Sequence, residues 1–230
     1  MDKYLIHRQG YTTLNLKAIC DDIKLTPRTL LEVGPAAPDE NCRTDWYARN
    51  GYNCIFVEGN PKLCYYLNNG YEKTPEFYDN CLNIKEKLNH TYSGYRDNPN
   101  VSIHNAVIVD KPGKTKFYEF HASSFVGGTS SPAKTHDKYI ENEKDLYIID
   151  GFNINHFDNG EIDVLVSDTE GSDYYCIRDL ISRPKVIILE THYIYSSYIN
   201  PFINEINQWM KDNNYKEICK DQSDTLYIKE

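Results

Sequence analysis

No G-x-G-x-x-G string occurs in this chain, and it also lacks a C-x-x-C pair, a long basic block and a long apolar run. Without the three glycines there is no amide cradle for a dinucleotide pyrophosphate behind a first strand. The seven cysteines, at 20, 42, 54, 64, 81, 176 and 219, have none of the short Cys/His spacings that pre-form a zinc site. They read as reduced, mostly buried thiols of a reducing compartment. Lys and Arg number 25 against 34 Asp and Glu, a net charge of -9, which argues against a surface that tracks nucleic-acid phosphates. The longest aliphatic run is Val186 to Leu189, and MDKYLIHRQGYTTLNLK lacks the continuous apolar core of a signal peptide. A soluble, cytoplasmic protein with no membrane span and no nucleic-acid partner is expected.

At 230 residues and 40% hydrophobic content, the chain fits one domain able to bury a sizeable core. The twenty tyrosines accompany abundant Asn, Lys and Ile and read as compositional bias. Residues 1–28 are taken as an N-terminal helical or cap segment, and 29–230 as a single domain. Within it, TLLEVG followed by NCRTDWYARNG reads as strand, loop and helix. NCIFVEG followed by NPKLCYYLNNG repeats the rhythm, with Asn60 placed to cap, Pro61 at the first helical position and Gly70 at the C-terminal cap. Two such units imply parallel strands joined by crossovers.

The polar stretch 71–100 holds a short possible helix around CLNIKEKL. VSIHNAVIV and KFYEF flank a K-P-G-K turn, and the Ser, Gly and Pro content of 121–138 reads as a mobile loop able to close over a site. IDVLVSD is a further strand, and KVIILETH, the most apolar, suits a central position buried on both faces. In FINEINQWMK, Ile203, Ile206, Trp209 and Met210 make one apolar helical stripe. YKEICK and DTLYIKE stand too close together for anything but an antiparallel hairpin. A mainly parallel sheet closed by that hairpin is expected, whereas dinucleotide-binding sheets continue with crossovers.

Ligands of open parallel sheets bind beyond the carboxyl ends of the strands. Four acids fall at such ends: Glu32, Glu58, Asp168 and Glu190. A carboxylate at Glu58 suits both hydroxyls of a ribose at once, and Gly34 lets backbone approach a ligand without a Cβ. An acid-rimmed pocket favours the sulfonium and amino group of S-adenosylmethionine over two phosphates.

The motifs LLEVG, FVEGNP, IDVLVSDTEGSDYYCIRDL and RPKVIILETH, in that order, resemble those of the FkbM-type methyltransferase family. The resemblance spans roughly Leu30 to the C-terminus. It implies an α/β, class I methyltransferase-like Rossmann fold with helices on both faces of the sheet. It also implies S-adenosylmethionine as cofactor, and methyl transfer to a hydroxyl of a sugar or glycan precursor, possible carriers including a nucleotide-sugar. By that resemblance Glu32, Gly34, Pro35, Glu58, Gly59, Asn60 and Asp168 hold the cofactor, and Asn105 and Ala106 lie near its adenine. The chain departs from the family pattern in GPAAPDE, which stands for a G-x-N-x-G loop. Ser167 stands for a usual Lys, and Asp173 for a second Glu.

Methyl transfer rests on orientation plus a base for the hydroxyl proton. His192 is the first choice of base, since a free imidazole titrates near about pH 6.5. Three roles are open to Asp168: orienting that imidazole, acting as base itself, or holding the methionine amino group. Glu170 serves the site or a helix N-terminus. Asp168, Glu170, Glu190 and His192 are also candidates for gathering a divalent ion such as magnesium, which the spacing does not demand. Two other readings stay open, an NAD-type oxidoreductase and a non-catalytic binding protein on the same fold.

Overall fold

A computed structural model describes residues 2–8, 11–37, 42–73, 90–120 and 123–230. The helix expected around CLNIKEKL, the end of the GPAAPDE loop and the first two residues of the 121–138 loop lie outside the described residues.

The N-terminal segment contains more than a helix. Leu5–Arg8 (β1) and Tyr11–Leu14 (β2) pair as an antiparallel hairpin ahead of Leu16–Asp22 (α1), whose N-cap Asn15 accepts from the Ala18 amide at 3.1 Å. Then come Thr29–Val33 (β3), Asp45–Arg49 (α2), Asn53–Glu58 (β4) and Pro61–Asn69 (α3). The capping chemistry of α3 is the one its sequence announces. Asn60 accepts from the Lys62 amide at 2.9 Å, Pro61 opens the helix, and Gly70 follows it at φ 74.

Tyr71–Lys73 (β5) and His90–Tyr92 (β6) form a small ribbon, and Val101–Asn105 (β7) returns to the main sheet. Val107–Ile108 (β8), Gly113–Tyr118 (β9), Phe125–Val126 (β10) and, after Pro132–Thr135 (α4), Leu146–Phe152 (β11) build a second, four-stranded sheet in the order β10-β9-β11-β8. The described part of the 121–138 segment therefore carries a strand and a short helix. The chain ends with Val164–Ser167 (β12), Asp173–Arg178 (α5), Val186–Glu190 (β13), Ile203–Asp212 (α6), Tyr215–Lys220 (β14) and Asp224–Lys229 (β15).

The main sheet is mixed and seven-stranded, ordered β14-β15-β13-β12-β3-β4-β7. From β13 to β7 every neighbour is parallel, while β15 runs antiparallel to both β13 and β14. Strand alternation splits the core in two. Leu30, Phe56, Val164, Val166, Val186 and Ile188 face one way, against Ile19 of α1, Tyr47 of α2 and Leu67 of α3. Leu31, Val57, Leu165, Ile187 and Leu189 face the other way, against Ile177 of α5 and Ile206 and Met210 of α6. Each such fully buried aliphatic side chain contributes on the order of 2 kcal/mol. Tyr4 and Leu14 join the first cluster, so the N-terminal segment shares the core of the sheet.

The site follows from this order. From β3 the chain moves outward through β4 and β7 on one side, while β12 and β13 lie on the other. The switch point is the β3–β12 seam, where loops diverge and a crevice opens beyond the strand ends.

Candidate functional site

Across the seam the two strand ends are locked together. The Asp168 amide donates to Val33 O at 2.9 Å, while on the other side of β3 the Gly34 amide donates to Val57 O of β4 at 2.9 Å. Gly34 sits at φ 78, and a Cβ there would overlap the carbonyl oxygen of Asp168. Only glycine allows this approach.

Beside the seam, Gly34, Glu58, Gly59, Ala106 and Asp168 line a cavity of about 40 Å³, closed by Val107, Phe117, Ser124 and Val126. Glu58 is its buried acid, 4% exposed. One oxygen accepts from the Asn60 amide at 2.7 Å and the other from the Ala36 amide at 3.0 Å. Burial pushes its carboxyl up to about 7 despite those amides, with the nearby Glu32 adding to the rise. Each oxygen keeps acceptor capacity for a further donor.

Glu32 points elsewhere. Its carboxylate accepts from the amides of Arg43 at 2.9 Å and Thr44 at 3.0 Å and from the Thr44 hydroxyl at 2.5 Å, and it is absent from the cavity wall. It ties down the entry to α2.

A second group of acids gathers where β12 and β13 end. Asp168, Glu170 and Glu190 each place one carboxylate oxygen within 4.8 Å of the others'. Burial, then repulsion from neighbouring acids, holds all three well above the usual carboxylate range. Glu170 adopts φ 56 ahead of Gly171 at φ 108, the tight turn that brings the chain back under the loop at Ser130. Asp173 anchors the turn, accepting from Ser167 Oγ at 2.7 Å and Asn200 Nδ2 at 3.0 Å, and burial lifts its carboxyl to about 6.

A sequence profile of the methyltransferase FkbM domain matches residues 33–217, most of this architecture and all of these acids but Glu32. The chain belongs to the FkbM methyltransferase family. Comparison with curated proteins returns no match.

Within this FkbM methyltransferase the remaining expected residues fall in different places. His192 is not aimed at the acids: its Nδ1 lies 2.9 Å from Thr191 Oγ1 and its Nε2 lies 3.1 Å from the Asp221 carbonyl oxygen. A carbonyl only accepts, so Nε2 carries the proton, and Nδ1 accepts from the hydroxyl. Both ring nitrogens therefore have partners within the chain. Asn105 is exposed and donates to the carbonyls of Glu58 at 2.8 Å and Gly59 at 3.1 Å, fixing the end of β4, while Ala106 lines the cavity. Asn60 caps α3, and Pro35 is buried and is not among the residues lining the cavity.

Sequence reasoning missed Arg43. Its guanidinium, in the loop after β3, pairs with Asp224 and lies 3.7 Å from Asp221, so it clamps the β14–β15 turn onto the rim. The D-Q-S-D string had a turn signal but none for an ion-pair partner.

Among the described residues no helix is long and apolar enough to cross a membrane.

Proposed function

We propose that this FkbM methyltransferase uses S-adenosylmethionine to methylate a hydroxyl oxygen of a sugar or glycan precursor, on a class I methyltransferase-like Rossmann arrangement. The observation that carries the reading is Glu58, a buried carboxylate at the end of the second parallel strand. Both of its oxygens are pre-oriented by amides and still able to accept from a ribose diol.

The residues fit the cofactor. Gly34 offers approach without a Cβ, Ala106, Val107 and Ile108 offer an apolar face to a purine, and Asp168 offers a carboxylate to a cationic group. At about 40 Å³ the cavity is much smaller than the roughly 300–1,000 Å³ of ordinary ligand pockets, so the wall of Phe117, Ser124 and Val126 moves when the cofactor enters. When bound, S-adenosylmethionine supplies a methyl group on a sulfonium. The chain supplies orientation: Glu58 holds the ribose, the seam fixes Asp168, and Asp168 accepts a hydrogen bond from the acceptor hydroxyl. Beyond β13, half-buried Tyr193 and exposed Tyr195 present aromatic rings 5.6 Å apart, surfaces suited to a sugar face. The described cysteines are free and buried, in keeping with a cytoplasmic setting.

The test is calorimetry with S-adenosylhomocysteine, followed by transfer of labelled methyl from S-adenosylmethionine to a panel of sugars and nucleotide-sugars. Binding and label in a sugar are expected. Absence of both would overturn the reading, and label on nitrogen would overturn its oxygen specificity.

A further inference from the structure

We propose that Asp168, Glu170 and Glu190 form a binding site for one hard divalent cation, magnesium or manganese, adjoining the cofactor cavity and sharing Asp168 with it.

The fold builds the cluster. β12 and β13 are parallel neighbours with Ser167 paired to Leu189, so the next residues, Asp168 just past β12 and Glu190 closing β13, stand side by side. The positive φ of Glu170 turns the chain back so that its carboxylate joins them. One oxygen from each lies within 4.8 Å of the others, the spread spanned by ligands about 2.0–2.6 Å from a central ion. The donors are all oxygen, which selects a hard cation over zinc or copper.

Among the described residues no side-chain cation forms an ion pair with this group, and Arg43, the nearby buried cation, is committed to Asp221 and Asp224. Glu170 and Glu190 are 8% and 4% exposed, yet the Oε2 atom of each has no hydrogen-bond partner. The hydroxyl of Tyr198, 2% exposed and close to the turn at Gly171, is also unpartnered. Buried polar atoms are normally satisfied. A magnesium ion with retained waters satisfies this set, its charge offsetting the carboxylates and its water protons reaching the second oxygens and the phenol.

The cofactor does not substitute for that ion. Of the three acids only Asp168 lines the cofactor cavity; Glu170 and Glu190 do not. A cationic group entering there meets one carboxylate and leaves two unanswered.

The test uses the full chain stripped by chelator, titrated with Mn²⁺ and followed by the paramagnetic resonance of free Mn²⁺, with Mg²⁺ calorimetry alongside. One ion per chain is expected, with affinity at least about tenfold weaker in Glu170→Gln and in Glu190→Gln and unchanged in the exposed control Glu205→Gln. Each glutamine is neutral and nearly isosteric with the acid it replaces, so the metal-free variants should melt no lower than the parent. If either variant fails to fold, the other and the parent titration still decide. No stoichiometric binding by the parent, or equal binding by the folded variants, overturns the site. The titration needs no cofactor, so its failure leaves the methyl-transfer reading standing, and failure of S-adenosylhomocysteine to bind leaves the cation site standing.

Discussion

Gly34 and Asp168 meet backbone to backbone, so closely that the first carbon of any side chain at Gly34 would occupy the space of the Asp168 carbonyl oxygen. That contact closes the β3–β12 seam and sets the position of Asp168. Gly34→Ala adds a clash with backbone, which cannot swing aside, to the strain of φ 78. Urea denaturation should show a loss of at least about 2 kcal/mol, with cofactor affinity falling in the folded fraction. A stable variant with intact binding would mean that the seam tolerates opening.

The parts of this arrangement that are local in sequence were legible. The helix after Asn60 is announced by its own cap and proline, and the acids stand on one rim because parallel strands in register end together. Where each carboxylate points was not legible. Glu32 and Glu58 occupy equivalent-looking strand ends, yet Glu32 turns to amides of a loop eleven and twelve residues on, and Glu58 turns to the cavity. Arg43 finds Asp224 across 181 residues, a separation over which no spacing rule speaks. His192 looked like a free imidazole because its partners, a neighbouring hydroxyl and a distant carbonyl, leave no mark in composition.

Glu58 should govern affinity rather than chemistry. Glu58→Ala removes two charge-assisted acceptors that the reading gives to the ribose, each worth roughly 1.5–3 kcal/mol. Calorimetry with S-adenosylhomocysteine should show affinity at least tenfold weaker, about 1.4 kcal/mol or more. Equal affinity would sink the ribose assignment.

His192 and Asp168 separate the two accounts of proton handling. Since both imidazole nitrogens are engaged away from the acids, His192→Ala should leave turnover within about threefold of the parent, whereas Asp168→Asn should lower it by about a hundredfold. Turnover on the identified acceptor decides. The reverse ranking would restore the imidazole as the base.

Arg43 is a structural clamp whose side chain is 13% exposed against fully buried Asp221 and Asp224. Arg43→Met strands both acids without a counter-charge, and losses of about 3 kcal/mol are expected when a buried pair is broken from one side. Adding Asp224→Asn should recover part of that loss, with a coupling above about 1 kcal/mol in a double-mutant cycle by urea denaturation. Additive losses would show that the guanidinium acts through packing alone.

Glu58 also sets a pH dependence of stability whose sign can be worked out. Burial pushes its carboxyl up to about 7, above the ordinary 4.5, so between those values the folded chain holds a proton that the unfolded chain has released. The native state then binds more protons than the unfolded one, and this contribution is fully present below the ordinary value and lost as pH rises through the folded one. The span corresponds to about 3 kcal/mol. Glu58→Gln removes the titration, so the stability of the parent relative to this variant should fall by up to about that amount between pH 4.5 and 8, measured by urea denaturation across the range. A difference that stays flat with pH would place the Glu58 carboxyl at its ordinary value.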